Sequence, residues 1–141
     1  MSADPSGAAD FSVDIPISFG HCDPAGIVFY PNYYRWFDQC FHRFLQARVG
    51  GHAALCAQLQ AKGLGLMDTQ ARYPAPARDG DLMRLEMRVA EWGAKTLRLS
   101  YVGTVEDRVV VDGRELRGLF QMRDGRMRAG DMRQVRALLD G

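Results

Sequence analysis

The sequence has almost no excess charge of either sign. Its 141 residues carry 18 basic and 17 acidic side chains, a formal net charge of +1. That balance argues against a nucleic acid or a membrane surface as the main partner. No apolar run is long enough to span a bilayer. Cysteines are few: Cys22, Cys40 and Cys56. Their odd number and their spacing suit neither a disulfide framework nor a zinc site, so reduced thiols and no metal are expected. His42 and His52 also lack metal-ligand spacing. The opening ten residues, MSADPSGAAD, have neither the basic nor the apolar region of a signal peptide. A cytoplasmic location is therefore expected, with residues 1–10 a disordered tail before one domain over 11–141. There is no internal repeat and no low-complexity segment.

What is present is a change of hydrophobic period along the chain. Phe11 to Phe19 alternates as a half-buried strand, and Pro16 suggests an edge or bulge. From Tyr30 to about Val49 the period is helical. Tyr30, Tyr33, Tyr34, Phe37, Cys40 and Phe41 build a broad apolar face. Pro31 suits a first helical turn, where its missing N–H costs nothing, and Gly50-Gly51 is a strong stop. A shorter helix over His52–Lys62, ended by Gly63, is expected next. Beyond Gly65 the period falls to two, with strands at Leu66–Tyr73, Met83–Val89 and Leu97–Tyr101. Asp112-Gly113 is the strongest hairpin dipeptide, and Glu106–Arg108 offers a competing turn. Leu116, Gly118, Phe120 and Met122 are expected to line one face of the last strand, before a terminal helix over Met132–Leu139. The order implies an α+β domain, an antiparallel sheet of about five strands with one long helix against it. That helix is apolar over more than half its circumference, so the sheet is expected to curve around it.

The segment Gly20–Tyr34, GHCDPAGIVFYPNYY, carries the chemistry. Asp23-x-x-Gly26-Ile-Val-Phe-Tyr30-Pro31-Asn-Tyr33, followed by Arg35-Trp36-Phe37-Asp38, resembles the signature of the 4-hydroxybenzoyl-CoA thioesterase family. The run Cys22-Asp23-Pro24-Ala25-Gly26 resembles its aromatic-CoA branch more than its short-chain relatives. The resemblance implies a hot-dog fold and hydrolysis of an acyl-CoA to a free acid and coenzyme A. Coenzyme A is then part of the substrate, and no separate cofactor is implied.

Thioester hydrolysis needs a nucleophile or base beside the carbonyl carbon and donors for the oxygen as it turns negative. A helix start offers unpaired N–H groups and the positive end of a dipole. Because Pro31 has no N–H, the Tyr30 amide is the expected donor there. The resemblance implies that this amide polarises the thioester carbonyl. It also implies that Asp23 attacks the carbonyl carbon or activates a water that does. The competing reading of Asp23 is an Asx turn. Gly26 is expected to permit a special backbone conformation or a close approach. By the same resemblance, Asp38 meets a hydroxyl on the acyl ring, against a reading as a solvated helix residue. Trp36 is either acyl-pocket wall or core.

The family places a basic cluster after a Glu-Trp pair. Here Glu91-Trp92 is followed by Gly93-Ala94-Lys95, so only Lys95 matches and two expected arginines are missing. Arg72, Arg98 and Arg128 are candidate substitutes for holding the CoA phosphates. His21 stands where founding members of the family have a second acidic residue, and a turn histidine is its plainer reading. Three other readings compete: a short-chain aliphatic acyl-CoA thioesterase, a hot-dog hydratase or dehydratase, and a non-catalytic acyl-CoA-binding module. The hydratase needs an acid–histidine pair that the central helix lacks. A homodimer or homotetramer is expected, since one small sheet leaves an exposed edge.

Overall fold

The computed structural model describes residues 7–140. Strand β1 spans Phe11–Pro16, and helix α1 spans Pro31–Val49. Helix α2 follows at His52–Leu59, then β2 at Ala61–Arg72, β3 at Leu82–Trp92, β4 at Thr96–Val105, β5 at Arg108–Arg123, β6 at Arg126–Ala129 and α3 at Met132–Asp140. The strands join in the order β1-β3-β4-β5-β2, and β6 pairs with β5. No described helix is long and apolar enough to cross a membrane.

The expected α+β order is present, with one short strand, β6, beyond the expected five; β2 lies beside β5 and not beside its successor β3. β1 lies at a sheet edge and ends at Pro16, which has no N–H to offer a further partner. It pairs antiparallel with β3, setting Val13 opposite Leu85 and Ile15 opposite Met83, all four buried. The strand stops short of Phe19, because Phe19–His21 forms a single 3-10 turn.

The residues pack as two compact units. The first takes the chain up to Cys40 with Gln70–Arg88 and Ser100–Arg114. At its centre the Phe37 ring stacks on Tyr101 at 4.6 Å, and both are fully buried. Gly113 lies beneath Phe37: a Cβ there would run into the ring's Cζ and Cε2. This is why Asp112-Gly113 is not the hairpin that its sequence suggests. The glycine is a mid-strand residue of β5, kept small by the helix side chain above it. The turn falls at Glu106-Asp107 instead, where Glu106 takes a φ of 55°.

The second unit takes Phe41–Thr69, Val89–Leu99 and the chain from Glu115 on. Helix α2 ends at Leu59, before the expected Lys62. Gln60 adopts the left-handed conformation and returns its N–H to the Cys56 carbonyl, so Gly63 lies in β2. The inward face of β5 is also the opposite of the expected one. Glu115, Arg117, Leu119 and Gln121 are buried, whereas Phe120 is half-buried and Met122 exposed. The polar residues tolerate burial because they are paired. The Arg117 guanidinium donates to both Glu115 oxygens at 3.1 and 3.2 Å and to the Leu64 carbonyl, and it lies 4.2 Å from the Phe41 ring centre. Gln121 donates from Nε2 to the Leu59 carbonyl.

The close fit at Gly113 predicts that Gly113→Val destabilises the fold by about 1–3 kcal/mol through overpacking. Adding Phe37→Leu should recover part of the loss. Thermal melts of the single and double variants check this, and wild-type melting of Gly113→Val would remove Phe37 as the constraint.

Candidate active site

The segment before α1 folds back on itself. Cys22 and Val28 form an antiparallel bridge, and the Asp23 N–H donates to the Ile27 carbonyl at 2.9 Å. Between them the chain turns tightly: the Gly26 N–H donates to the Asp23 carbonyl, also at 2.9 Å. Gly26 has a φ of 82°, a left-handed value that strains any residue with a side chain. A Cβ at Gly26 would meet nothing within 4 Å, so conformation and not close approach requires the glycine. Asp23 is half-buried, and its Oδ1 accepts the Ala25 N–H at 2.9 Å. The Asx turn is therefore real. It occupies one carboxylate oxygen and fixes the orientation of the other.

Asn32 fastens this hairpin to the helix. Its Nδ2 donates to the His21 carbonyl at 2.8 Å, and that carbonyl also accepts the Phe29 N–H at 2.9 Å. Asn32 is buried, and its Oδ1 accepts from Arg35. The Val28 N–H donates to the Ala77 carbonyl, which ties in the loop after β2. Pro31 opens α1 as expected. The Tyr30 N–H, just ahead of it, meets no acceptor among the described residues, although its carbonyl accepts the Tyr33 N–H. Asp23, Gly26, Tyr30 and Pro31 thus belong to one short hairpin joined to a helix N-terminus.

The other candidate residues fall differently. Trp36 is buried, edge-on to His21 at 5.0 Å and to Tyr33 at 5.5 Å, so it is a packing residue beside the hairpin. Asp38 is exposed on α1, two residues beyond Trp36. Lys95 belongs to the second unit, on the turn between β3 and β4, and its ammonium lies 3.5 Å from the Ala129 carbonyl. At the same turn the Ala94 carbonyl accepts the Met132 N–H, so the position of a missing arginine serves to dock α3. Arg98 is held by Glu91 at 3.3 Å. His21 accepts the Ser18 N–H at Nδ1 over 3.0 Å, the plainer turn role. Cys22 directs its thiol to the Ser18 carbonyl. His42 and His52 come together, with ring centres 5.2 Å apart, and His52 Nε2 accepts the Leu64 N–H. No group of three or more His, Cys, Asp or Glu among the described residues is placed to hold a metal ion.

Two features were not singled out in the sequence. One is the Asn32 fastener, signalled only by an asparagine directly after Pro31. The other is a tyrosine cluster: Tyr33 stacks on Tyr73 at 5.3 Å, and Tyr73 hydrogen-bonds Tyr34. Burial, with Asp81 and Cys22 nearby, pushes Tyr33 up to about 12. Burial and the Tyr34 bond raise Tyr73 as well.

Comparison with known proteins agrees with this architecture. The thioesterase superfamily model matches residues 25–112. A 4-hydroxybenzoyl-CoA thioesterase from Pseudomonas sp. (strain CBS-3) is 31% identical over 122 residues, covering 80% of this chain and 84% of that protein. This chain belongs to the thioesterase superfamily. It is a hydrolase of acyl thioesters with the hot-dog fold. The solved structure of the Pseudomonas enzyme superposes with a TM-score of 0.76 at 26% identity, covering 92% of this chain and 99% of that one. A gentisyl-coenzyme A thioesterase superposes with a TM-score of 0.74 at 26% identity, covering 89% and 98%. An Asp-to-Asn variant of a 4-hydroxybenzoyl-CoA thioesterase, complexed with 4-hydroxybenzoyl-CoA, superposes with a TM-score of 0.73 at 25% identity, covering 93% of this chain and 99% of that one.

Tyr33 gives this thioesterase a testable pH response. Its proton is held more tightly in the folded state, near 12, than at the ordinary value of 10.0. Its contribution to stability is therefore whole below pH 10 and is lost as pH rises from 10 towards 12. In urea unfolding across that range, Tyr33→Phe should show a shallower decline than wild type. Equal slopes would contradict this reading.

Proposed function

We propose that this thioesterase hydrolyses an aromatic acyl-CoA, of the 4-hydroxybenzoyl-CoA type, to the free acid and coenzyme A. The observation that carries the reading is the joining of a turn-held carboxylate, Asp23, to a helix start whose Tyr30 N–H meets no acceptor among the described residues. The thioester carbonyl oxygen accepts from the Tyr30 amide, at the positive end of the α1 dipole. The Asp23 oxygen not committed to Ala25 attacks the carbonyl carbon or takes a proton from the water that does. The C–S bond then breaks, and the sulfur leaves as thiolate and is protonated; where Asp23 itself attacks, water next cleaves the acyl–Asp23 anhydride, so on either route one water is consumed per turnover. Coenzyme A enters as substrate, and the chemistry uses no metal or separate cofactor.

Aromatic substrates are favoured by the Cys22–Gly26 run and by the relatives, which are thioesterases of 4-hydroxybenzoyl-CoA and gentisyl-CoA. Trp36 packs edge-on to His21 and supports the hairpin from the α1 side. Asp38, exposed on α1, meets the ring hydroxyl across a contact with a second copy. The protein therefore works as a homodimer or homotetramer. The exposed Leu66 and Met67 on edge strand β2 support that arrangement.

Asp23→Asn should lower kcat by about a thousandfold. The fold should hold, because the asparagine oxygen still accepts the Ala25 N–H. Coenzyme A release from a panel of aryl- and alkyl-CoA thioesters, with a thermal melt as control, measures both. Undiminished release in that variant would exclude Asp23 from the chemistry.

A further inference from the structure

The β5–β6 ribbon carries an arrangement of charge that folding alone disfavours. Its antiparallel register sets Arg123 directly opposite Arg126, and Gln121 opposite Arg128. Paired positions share a face of the ribbon, and so do positions two apart. Arg123, Arg126 and Arg128 therefore project from one face, together with Gln121. Like charges directly opposite across a strand pair repel one another. Compensation from carboxylates is absent among the described residues: none of the three arginines is in an ion pair. Arg123 donates to the Gln121 amide oxygen at 3.2 Å. All three are exposed. The neighbouring arginine shows the contrast, since Arg133 is closed onto Asp131 at 2.7 Å.

Lys95 extends the cluster. Its ammonium lies 3.5 Å from the carbonyl of Ala129, the residue after Arg128. Lys95 is the one basic residue that follows Glu91-Trp92, and the two positions between them are Gly93 and Ala94. Charges on an edge strand also block unwanted pairing, but a single charge serves that purpose. A facing arginine pair with a third arginine on the same face, and a lysine ammonium at the end of β6, suits a ligand bearing several phosphates. Guanidinium groups grip phosphate oxygens two at a time.

Resting on the acyl-CoA reading above, we infer that Arg123, Arg126 and Arg128 of the β5–β6 ribbon, with Lys95, bind the phosphates of the substrate's 3′-phosphoadenosine diphosphate moiety. They replace the arginines missing after Trp92. Ligand phosphates bound between facing guanidiniums turn their repulsion into shared attraction to one anion.

The test uses the full chain with Arg126→Ala/Arg128→Ala, at positions exposed on a short edge strand, and with Arg126→Lys/Arg128→Lys as the charge-keeping control. Two substrates carry the same acyl group, one on coenzyme A and one on pantetheine, which lacks the nucleotide. For the CoA thioester the alanine variant should raise KM about tenfold or more with kcat nearly unchanged, and the lysine variant should recover part of it. For the pantetheine thioester KM should not move. An unchanged KM for the CoA thioester would overturn the inference and leave thioester hydrolysis standing. If no thioester is hydrolysed, calorimetry with adenosine 3′,5′-bisphosphate reads the site directly. Binding by wild type that is lost in the alanine variant upholds the phosphate site, and absence of binding by wild type overturns it.

Discussion

The carbonyl of His21 accepts two hydrogen bonds, one from the Phe29 amide and one from the Asn32 side chain. Through them an otherwise flexible stretch of turn formers is clamped to the start of α1. Remove the clamp and Asp23 sits on a loop; with it, the Asp23 turn and the Tyr30 amide are parts of one hydrogen-bonded unit. The Cys22–Val28 bridge and the bond from Val28 to Ala77 extend that unit into the sheet side of the first packing unit. An oxyanion donor contributes to catalysis only when it is held in place before the charge develops. For the proposed Tyr30 donor, a hydrogen-bonded hairpin opening onto a helix whose first residue lacks an N–H would meet that requirement with few residues.

The helix is in turn placed by its aromatic face. Phe37 lies between Tyr101 and the bare backbone of Gly113, so the depth and rotation of α1 are set by contacts that tolerate little change. Further along the same helix, Phe41 receives the face of Arg117, and the buried Glu115–Arg117 pair takes the place of apolar filling. A buried ion pair of this kind adds little net stability against a hydrophobic alternative. It does oppose any other register of β5, because a shift by one residue would bury Leu116 and Phe120 and turn both charges outward.

Much of this was legible in the residues. The Gly20–Tyr34 segment, the Pro31 helix start, the Gly50-Gly51 stop and the succession of helices and strands along the chain follow from local chemistry and period, and the family follows from the motif; the placing of β2 beside β5 does not. What was not legible depended on distant neighbours. Asp112-Gly113 has the chemistry of a turn, but Phe37, some 75 positions earlier in the sequence, makes it a strand residue. The apolar row Leu116, Gly118, Phe120 and Met122 looked like the buried face of β5. Arg117 pairs with Glu115 two residues back on the same strand and donates to the Leu64 carbonyl on β2, and this allowed the charged row inward instead. Asn32 carries no sign in sequence that its amide reaches back 11 residues to His21. The facing arginines of β5 and β6 emerge only once the register is known.

In the proposed mechanism Asp23 and the Tyr30 amide address one thioester carbonyl. Isotope-edited infrared difference spectroscopy tests it most directly, using a carbonyl-labelled aryl-CoA bound to Asp23→Asn, where the thioester survives. The expected carbonyl band lies at lower frequency than in water, reflecting polarisation by the Tyr30 N–H and the helix dipole. A band at or above its frequency in water would contradict it.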